Sequence, residues 1–143
     1  MARVVIDPGV FVSALVAPKG TPAQLVDLLL EQRFELVTSP RLLAELTGVL
    51  LRDRFRRYVT AAEVRELIAD LAAVAIVIPD PPDPAAVTRD PNDDYLVALA
   101  VAAGADALIS GDRDLTDLAD QPVPVLTPRA FIDRLDEEAP SSG

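Results

Sequence analysis

The chain has 143 residues, half of them hydrophobic, a net charge of −10, and neither cysteine nor histidine. That length and apolar fraction suit one compact domain with a sizeable core, and the missing residue types exclude disulfides, zinc–thiolate sites, thiol nucleophiles and the commonest general base. Lysine occurs once, at Lys19, so hydrolytic chemistry is left to Asp, Glu, Ser, Thr, Tyr and Arg, whose oxygen ligands suit hard cations such as Mg²⁺ or Mn²⁺.

In chain order, residues 3–7 (RVVID) form a short, β-branched apolar run bounded by Pro8-Gly9, which predicts a buried strand. The opening MARVVIDPGV enters that strand at once, so no secretory leader is expected; no apolar run is long enough to span a bilayer. A cytoplasmic protein is the plain expectation. Residues 9–17 predict a short helix, and Thr21-Pro22 open another, with Thr21 as N-cap and Leu25, Val26, Leu28 and Leu29 on the apolar face. FELVT (34–38) is the second expected strand, and Ser39 and Pro40 cap and begin a helix to about Arg52. Thr60 and Glu63 form a capping box for a helix to about Ala73, and AIVIP (75–79) is the third strand.

Pro79 to Pro84 (PDPPDP) is expected to be a rigid connection, because successive prolines fix φ and remove backbone donors. A helix over 92–103 is stopped by Gly104; strands follow at 106–110 (DALIS) and 122–126 (PVPVL), each trailed by a short helical stretch. From Asp136 to Gly143 apolar periodicity is lost, so the domain is expected over 1–135, with 136–143 a flexible tail. This alternation predicts an α/β, three-layer fold, a central parallel sheet of about five strands flanked by helices. In such sheets, sites gather beyond the carboxyl ends of the strands.

Four acids stand where that rule points or where a charge is costly. Asp7 closes the first strand, and Asp112 lies just past DALIS, with Gly111 letting the backbone turn. Glu45 borders the apolar stripe of Leu42, Leu46 and Val49, where a carboxylate half-turned to the core is unfavourable unless paired or metal-bound. Asp93 lies in the first turn of its helix, with Leu96 and Val97 three and four residues on. Each has a bland alternative: a strand-ending turn for Asp7 and Asp112, a boundary glutamate for Glu45, and for Asp93 a helix N-terminus that favours acids.

Taken in order, V-V-I-D-x-x-V-F-V-S-A-L, S-P-R-L-L-A-E-L, R-D-P-N-D-D-Y-L-V-A-L-A and A-L-I-S-G-D-R-D-L resemble the motifs of the PIN domain, in particular those of VapC-type toxins of bacterial toxin–antitoxin systems. The resemblance covers about residues 2–135. It implies a central parallel sheet with flanking helices and Mg²⁺- or Mn²⁺-dependent cleavage of RNA phosphodiester bonds. It also implies catalytic and metal-binding roles for Asp7, Glu45, Asp93 and Asp112, with Asp114 an accessory ligand and Ser110 in support. A homodimer and a cognate antitoxin partner are likewise what the resemblance implies. One departure stands at Asp7-Pro8-Gly9: the family carries Asn or Ser where this chain has Gly9, so a polar side chain that orients the site is missing, with water or Asp94 as substitutes.

The charge of −10 gives no general attraction for nucleic acid. RNA therefore needs bound cations and a local basic patch, for which Arg52-Asp53-Arg54-Phe55-Arg56-Arg57-Tyr58 is the candidate: Arg54, Arg56 and Arg57 for phosphates, the aromatics for bases. The plain alternative is a solvated helix end. Two other functions compete with this one. A haloacid-dehalogenase-type phosphatase wants an Asp at position 9 and a lysine before the last motif, and Lys19 is far too early. A PIN-fold module that binds RNA or protein without catalysis is motivated by Gly9.

Overall fold

The computed structural model describes residues 1–82 and 90–138. The sheet holds five strands, β1 (Arg3–Ile6), β2 (Glu35–Thr38), β3 (Ile76–Val77), β4 (Ala107–Ile109) and β5 (Val125–Leu126). Their order is β3-β2-β1-β4-β5, and every neighbouring pair is parallel. The helices among the described residues are α1 (Pro8–Val16), α2 (Thr21–Leu30), α3 (Pro40–Leu50), α4 (Ala61–Val74), α5 (Pro91–Ala102), α6 (Arg113–Thr116) and α7 (Pro128–Glu138). None is long and apolar enough to cross a membrane.

The pleat sorts the strand side chains between two layers. Val4, Ile6, Leu36, Ala107 and Ile109 join one core with Phe11 of α1, Leu25 and Leu29 of α2, Leu46 and Leu50 of α3, Leu71 of α4 and Phe131 of α7. Their alternates Val5, Val37 and Leu108 join a second core with Leu96 and Leu99 of α5 and Leu115 of α6. Central strands buried on both faces read as continuous apolar runs, which is why RVVI and DALI carry no alternation.

Local chemistry starts and stops the elements largely as expected. Ser39 caps α3, accepting from the Leu42 N–H, and Pro40 follows in the first turn. The Thr60–Glu63 capping box is present in both directions. Gly104, at φ 60°, ends α5 in the left-handed region that favours glycine. β3 and β5 are shorter than the expected 75–79 and 122–126, and two further boundaries differ for reasons of packing. The N-cap of α2 is Gly20, not Thr21, whose hydroxyl instead accepts from Arg129 across the fold. The last helix takes in Asp136, Glu137 and Glu138, the start of the segment expected to be loose, because Phe131 and Ile132 bury its inner face. Of the proline connector, Pro79 to Pro82 carry neither helix nor strand; Asp83 and Pro84 lie outside the described residues, as do Arg89 and the tail 139–143.

The strand order has a consequence for chemistry. From β1 the chain builds outward through β2 and β3, then returns to place β4 and β5 on the other side. The order reverses between β1 and β4, and the loops leaving them diverge there, opening a crevice beyond their carboxyl ends. Asp7 follows β1 and Asp112 follows β4.

Candidate metal centre

The Asp7 N–H donates to the Ile109 carbonyl at 2.9 Å, carrying the β1–β4 ladder one residue past the strand. Asp7 then caps α1: its Oδ1 accepts from the Gly9 N–H at 3.0 Å, and Pro8 begins the helix. Its Oδ2 accepts from the hydroxyl of the wholly buried Ser110 at 2.8 Å. Ser110 Oγ in turn accepts from the Asp112 N–H at 3.0 Å, and Asp112 Oδ1, capping α6, accepts from the Asp114 N–H at 2.9 Å. One hydrogen-bonded chain thus bridges the crevice through Asp7, Ser110, Asp112 and Asp114.

Two helices bring further acids to it. Asp90 caps α5 by accepting from the Asn92 N–H at 2.9 Å, and Asp93 follows in the first turn, only 7% exposed. Burial pushes the Asp93 carboxyl up to about 6, and the charges of Asp112, Asp90, Asp7 and Asp114 add to the rise. Glu45, half-buried on α3, is also raised, first by burial and then by Asp7 and Asp90, while Arg41 opposes the shift. Asp7, Glu45, Asp90, Asp93, Asp112 and Asp114 therefore share one electrostatic patch at the switch point. Among the described residues no three acids are arranged to grip an ion as they stand; Asp7 and Asp112 spend oxygens on helix caps. The donors nevertheless fit a hard divalent cation. They are carboxylate and hydroxyl oxygens, and burial, with their mutual repulsion added, raises the Asp93 carboxyl well above its ordinary range.

A polar network beside the acids ties α3 to α5. The Tyr95 hydroxyl bonds the buried Ser39 hydroxyl and donates to Asp80 Oδ1. The Arg41 N–H donates to the same Asp80 oxygen at 3.2 Å, and the Arg41 guanidinium lies 4.1 Å from the centre of the Tyr95 ring. Burial and the bond to Asp80 lift Tyr95 to about 12, so it remains a donor, and Asp80 is lowered by its bonds to Tyr95 and Ser39. Sequence reasoning missed this network and Asp90. The signals were present: Asp90-Pro91 is an N-cap followed by a first-turn proline, and Tyr95 interrupts an otherwise aliphatic run with a hydroxyl that needs a partner.

The arginine segment follows α3. That helix begins at the carboxyl end of β2, and its eleven residues extend about 16 Å away from there. A 3-10 turn, Asp53–Phe55, comes next. Arg56 is part-buried and donates from Nη2 to the Leu50 carbonyl, satisfying a free acceptor at the end of α3, while its Nε has no partner among the described residues. Arg54 and Arg57 are exposed, lying 4.8 Å from the ring centre of Phe55 and 5.3 Å from that of Tyr58.

With this geometry in hand, comparison with known proteins gives a consistent result. The profile of the PIN domain matches residues 3–114, a span holding all six acids. The chain is 30% identical to the uncharacterized protein MJ1680 of Methanocaldococcus jannaschii, over 94% of this chain and 92% of that protein. Among solved structures it resembles PAE2754 of Pyrobaculum aerophilum, with a TM-score of 0.67 at 17% identity, covering 96% of this chain and 91% of the other. It also resembles VapBC2 of Rickettsia felis, solved bound to a DNA fragment from its promoter, with a TM-score of 0.59 at 12% identity over 87% and 98% of the two chains.

Proposed function

Because this chain belongs to the PIN domain family, we propose that it is a Mg²⁺- or Mn²⁺-dependent endoribonuclease, the toxin of a type II toxin–antitoxin pair. The observation that carries the reading is Asp93, a carboxyl raised to about 6 first by its burial and then by four other acids over the switch point of the sheet. Without a cation this crowding is destabilising; with one, the same oxygens become ligands. The similarity to VapBC2 supports a cognate antitoxin as partner. A homodimer and a cytoplasmic location complete the proposal.

In this reading Asp7, Glu45, Asp93 and Asp112 hold the cation directly or through water, with Asp114 beside them. A bound Mg²⁺ or Mn²⁺ supplies an activated water and stabilises charge on the phosphate. Ser110 keeps Asp7 Oδ2 oriented, the role an outer hydrogen-bond partner plays at a metal ligand. The Ser39–Tyr95–Asp80 network holds α3, and hence Glu45, in place against α5, and hence Asp93. Arg54 and Arg57 offer exposed charge to the RNA backbone, and Arg56 anchors their turn. The test is cleavage of labelled RNA with Mg²⁺ or Mn²⁺, with chelator, and with Asp7→Asn. Cation-dependent cutting lost in the variant supports the proposal; cutting that survives chelation or the substitution refutes it.

Gly9 favours a second reading, a PIN-fold module that binds RNA or a protein partner without cutting. It predicts RNA binding with no cleavage at any divalent cation concentration.

A further inference from the structure

Of the acids, Asp7 and Asp112 also face a space that the others do not line. It is a cleft of about 380 Å³, with both in its lining. Gly9, Gly111, Ser13, Pro22 and Pro128 form much of the rest, whereas Glu45, Asp90 and Asp93 do not line it. Its volume lies in the range that holds a small ligand, about 300–1,000 Å³, which is room for one nucleotide. The two glycines leave it open onto the acids: a Cβ at Gly9 finds nothing nearer than Asp7 Oδ1 at 3.6 Å, and at Gly111 nothing within 4 Å.

A guanidinium joins the two segments that flank this cleft, although neither Arg129 nor Thr21 is among the residues lining it. Arg129 follows Pro128 on one wall, and its Nη2 donates at 3.0 Å to the hydroxyl of Thr21, the neighbour of Pro22 on the other. Thr21 is the first residue of α2, whose N-cap is Gly20. Arg129 is exposed and has no carboxylate partner among the described residues, although the chain carries 23 acids. A charge left uncompensated yet held in one orientation is organised for an anion from outside. Both Arg129 and Pro128 lie beyond the span that matches the family.

We propose that the cleft holds the nucleotide next to the cut, and that Arg129 binds the phosphate adjacent to the one cleaved. The inference rests on the ribonuclease reading and adds the side of the acid cluster over which the strand runs. Ser13 and the proline walls contact the sugar and base, and the Thr21 bond pre-orients the guanidinium, so little side-chain freedom is lost on binding.

The test measures binding of a short single-stranded RNA to the full chain at several salt concentrations, with Ca²⁺ in place of Mg²⁺ to prevent turnover. Arg129→Ala is expected to weaken binding about tenfold, the size of one hydrogen bond to a charged group. It should also make the salt dependence shallower by about 0.7 in log–log slope, one counterion fewer on a single strand. Arg129→Lys restores the slope but only part of the affinity, since a point charge replaces an oriented fork. Thr21→Val keeps the slope and loses affinity a few-fold. Ser13→Trp, which fills the cleft from an exposed position, weakens binding at least as much as Arg129→Ala. Unchanged affinity and slope in Arg129→Ala, while the parent chain binds and cuts RNA, overturns this inference and leaves the ribonuclease reading standing. A parent chain that binds no RNA with any divalent cation overturns both.

Discussion

Replacing Asp93 by Asn should stabilise the metal-free protein at neutral pH while abolishing cleavage. In the folded chain this carboxyl is 7% exposed and titrates at about 6 rather than 3.8. Between those values the native state keeps a proton that the unfolded chain has released. The residue's contribution therefore favours folding at low pH and is lost as pH climbs through about 6. At 1.36 kcal/mol per pH unit the displacement corresponds to roughly 3 kcal/mol. Asparagine forgoes the attraction of a first-turn carboxylate for the helix N-terminus, ~0.3–1 kcal/mol, so a net gain of about 2 kcal/mol at pH 8 is expected. For a chain of this length that raises Tm by about 6 °C. Unfolding is followed in chelator from pH 4 to pH 8 for both proteins. Glu45, raised like Asp93, and Glu63 and Asp80, lowered, are present in each and largely cancel in the difference. The two curves should meet near pH 4 and part as pH rises, and added Mg²⁺ should stabilise the parent chain more than the variant. A variant that is less stable at pH 8, or parallel to the parent across the range, refutes the crowding argument.

Asp7→Asn should fold normally, since its amide oxygen still caps the Gly9 N–H and its NH2, in the place of Oδ2, donates to the Ser110 hydroxyl oxygen, yet show no cleavage in an RNA gel assay. Ser110→Ala removes a buried donor to Asp7; about 1–2 kcal/mol lost in urea unfolding, with cation affinity reduced about 10-fold or more by calorimetry, is expected. Tyr95→Phe removes the hydroxyl that bonds both Ser39 and Asp80, costing about 1–2 kcal/mol and lowering activity through a displaced Glu45 even at saturating Mg²⁺. Gly9→Asn restores the side chain the family carries; its Cβ meets Asp7 only at ordinary contact distance, so turnover should rise without loss of Tm, and a fall in turnover would mean the open cleft matters more than the missing amide.

Legibility in the sequence followed the range of the interactions. Caps and strands were readable because their physics is local: Ser39-Pro40, the Thr60–Glu63 box, Gly104 and the β-branched run before Asp7 each act within a few residues. The placement of Asp7 and Asp112 followed from strand ends plus the site rule for parallel sheets. What escaped depended on distant partners. Thr21 has the chemistry of an N-cap, but its hydroxyl is committed to Arg129, 108 residues away. Arg56 stands in a basic run that suggests a phosphate contact, yet its guanidinium turns back to the Leu50 carbonyl. Tyr95 reaches Ser39 across 56 residues, and no periodicity announces such a pair. The strand order, which creates the crevice, is a property of the whole chain.

The charge distribution carries the argument one step further. A chain of net charge −10 that gathers Asp7, Glu45, Asp90, Asp93, Asp112 and Asp114 at one edge repels RNA from that edge when no cation is present. Arg41 cannot reverse this alone: it is stacked on Tyr95 and already opposes the rise of Glu45. On the proposed reading, cation and RNA therefore bind as linked ligands. Each cation held by the acids removes repulsion toward phosphate, and by reciprocity bound RNA raises cation affinity by the same factor. Asp7 and Asp112 each commit one oxygen to a helix cap, so a phosphate oxygen would add to the ligands available to a cation there. Such coupling would weaken RNA binding without the cation and cation binding without RNA. It explains why acids too dispersed for a closed ion cage are still placed around one crevice.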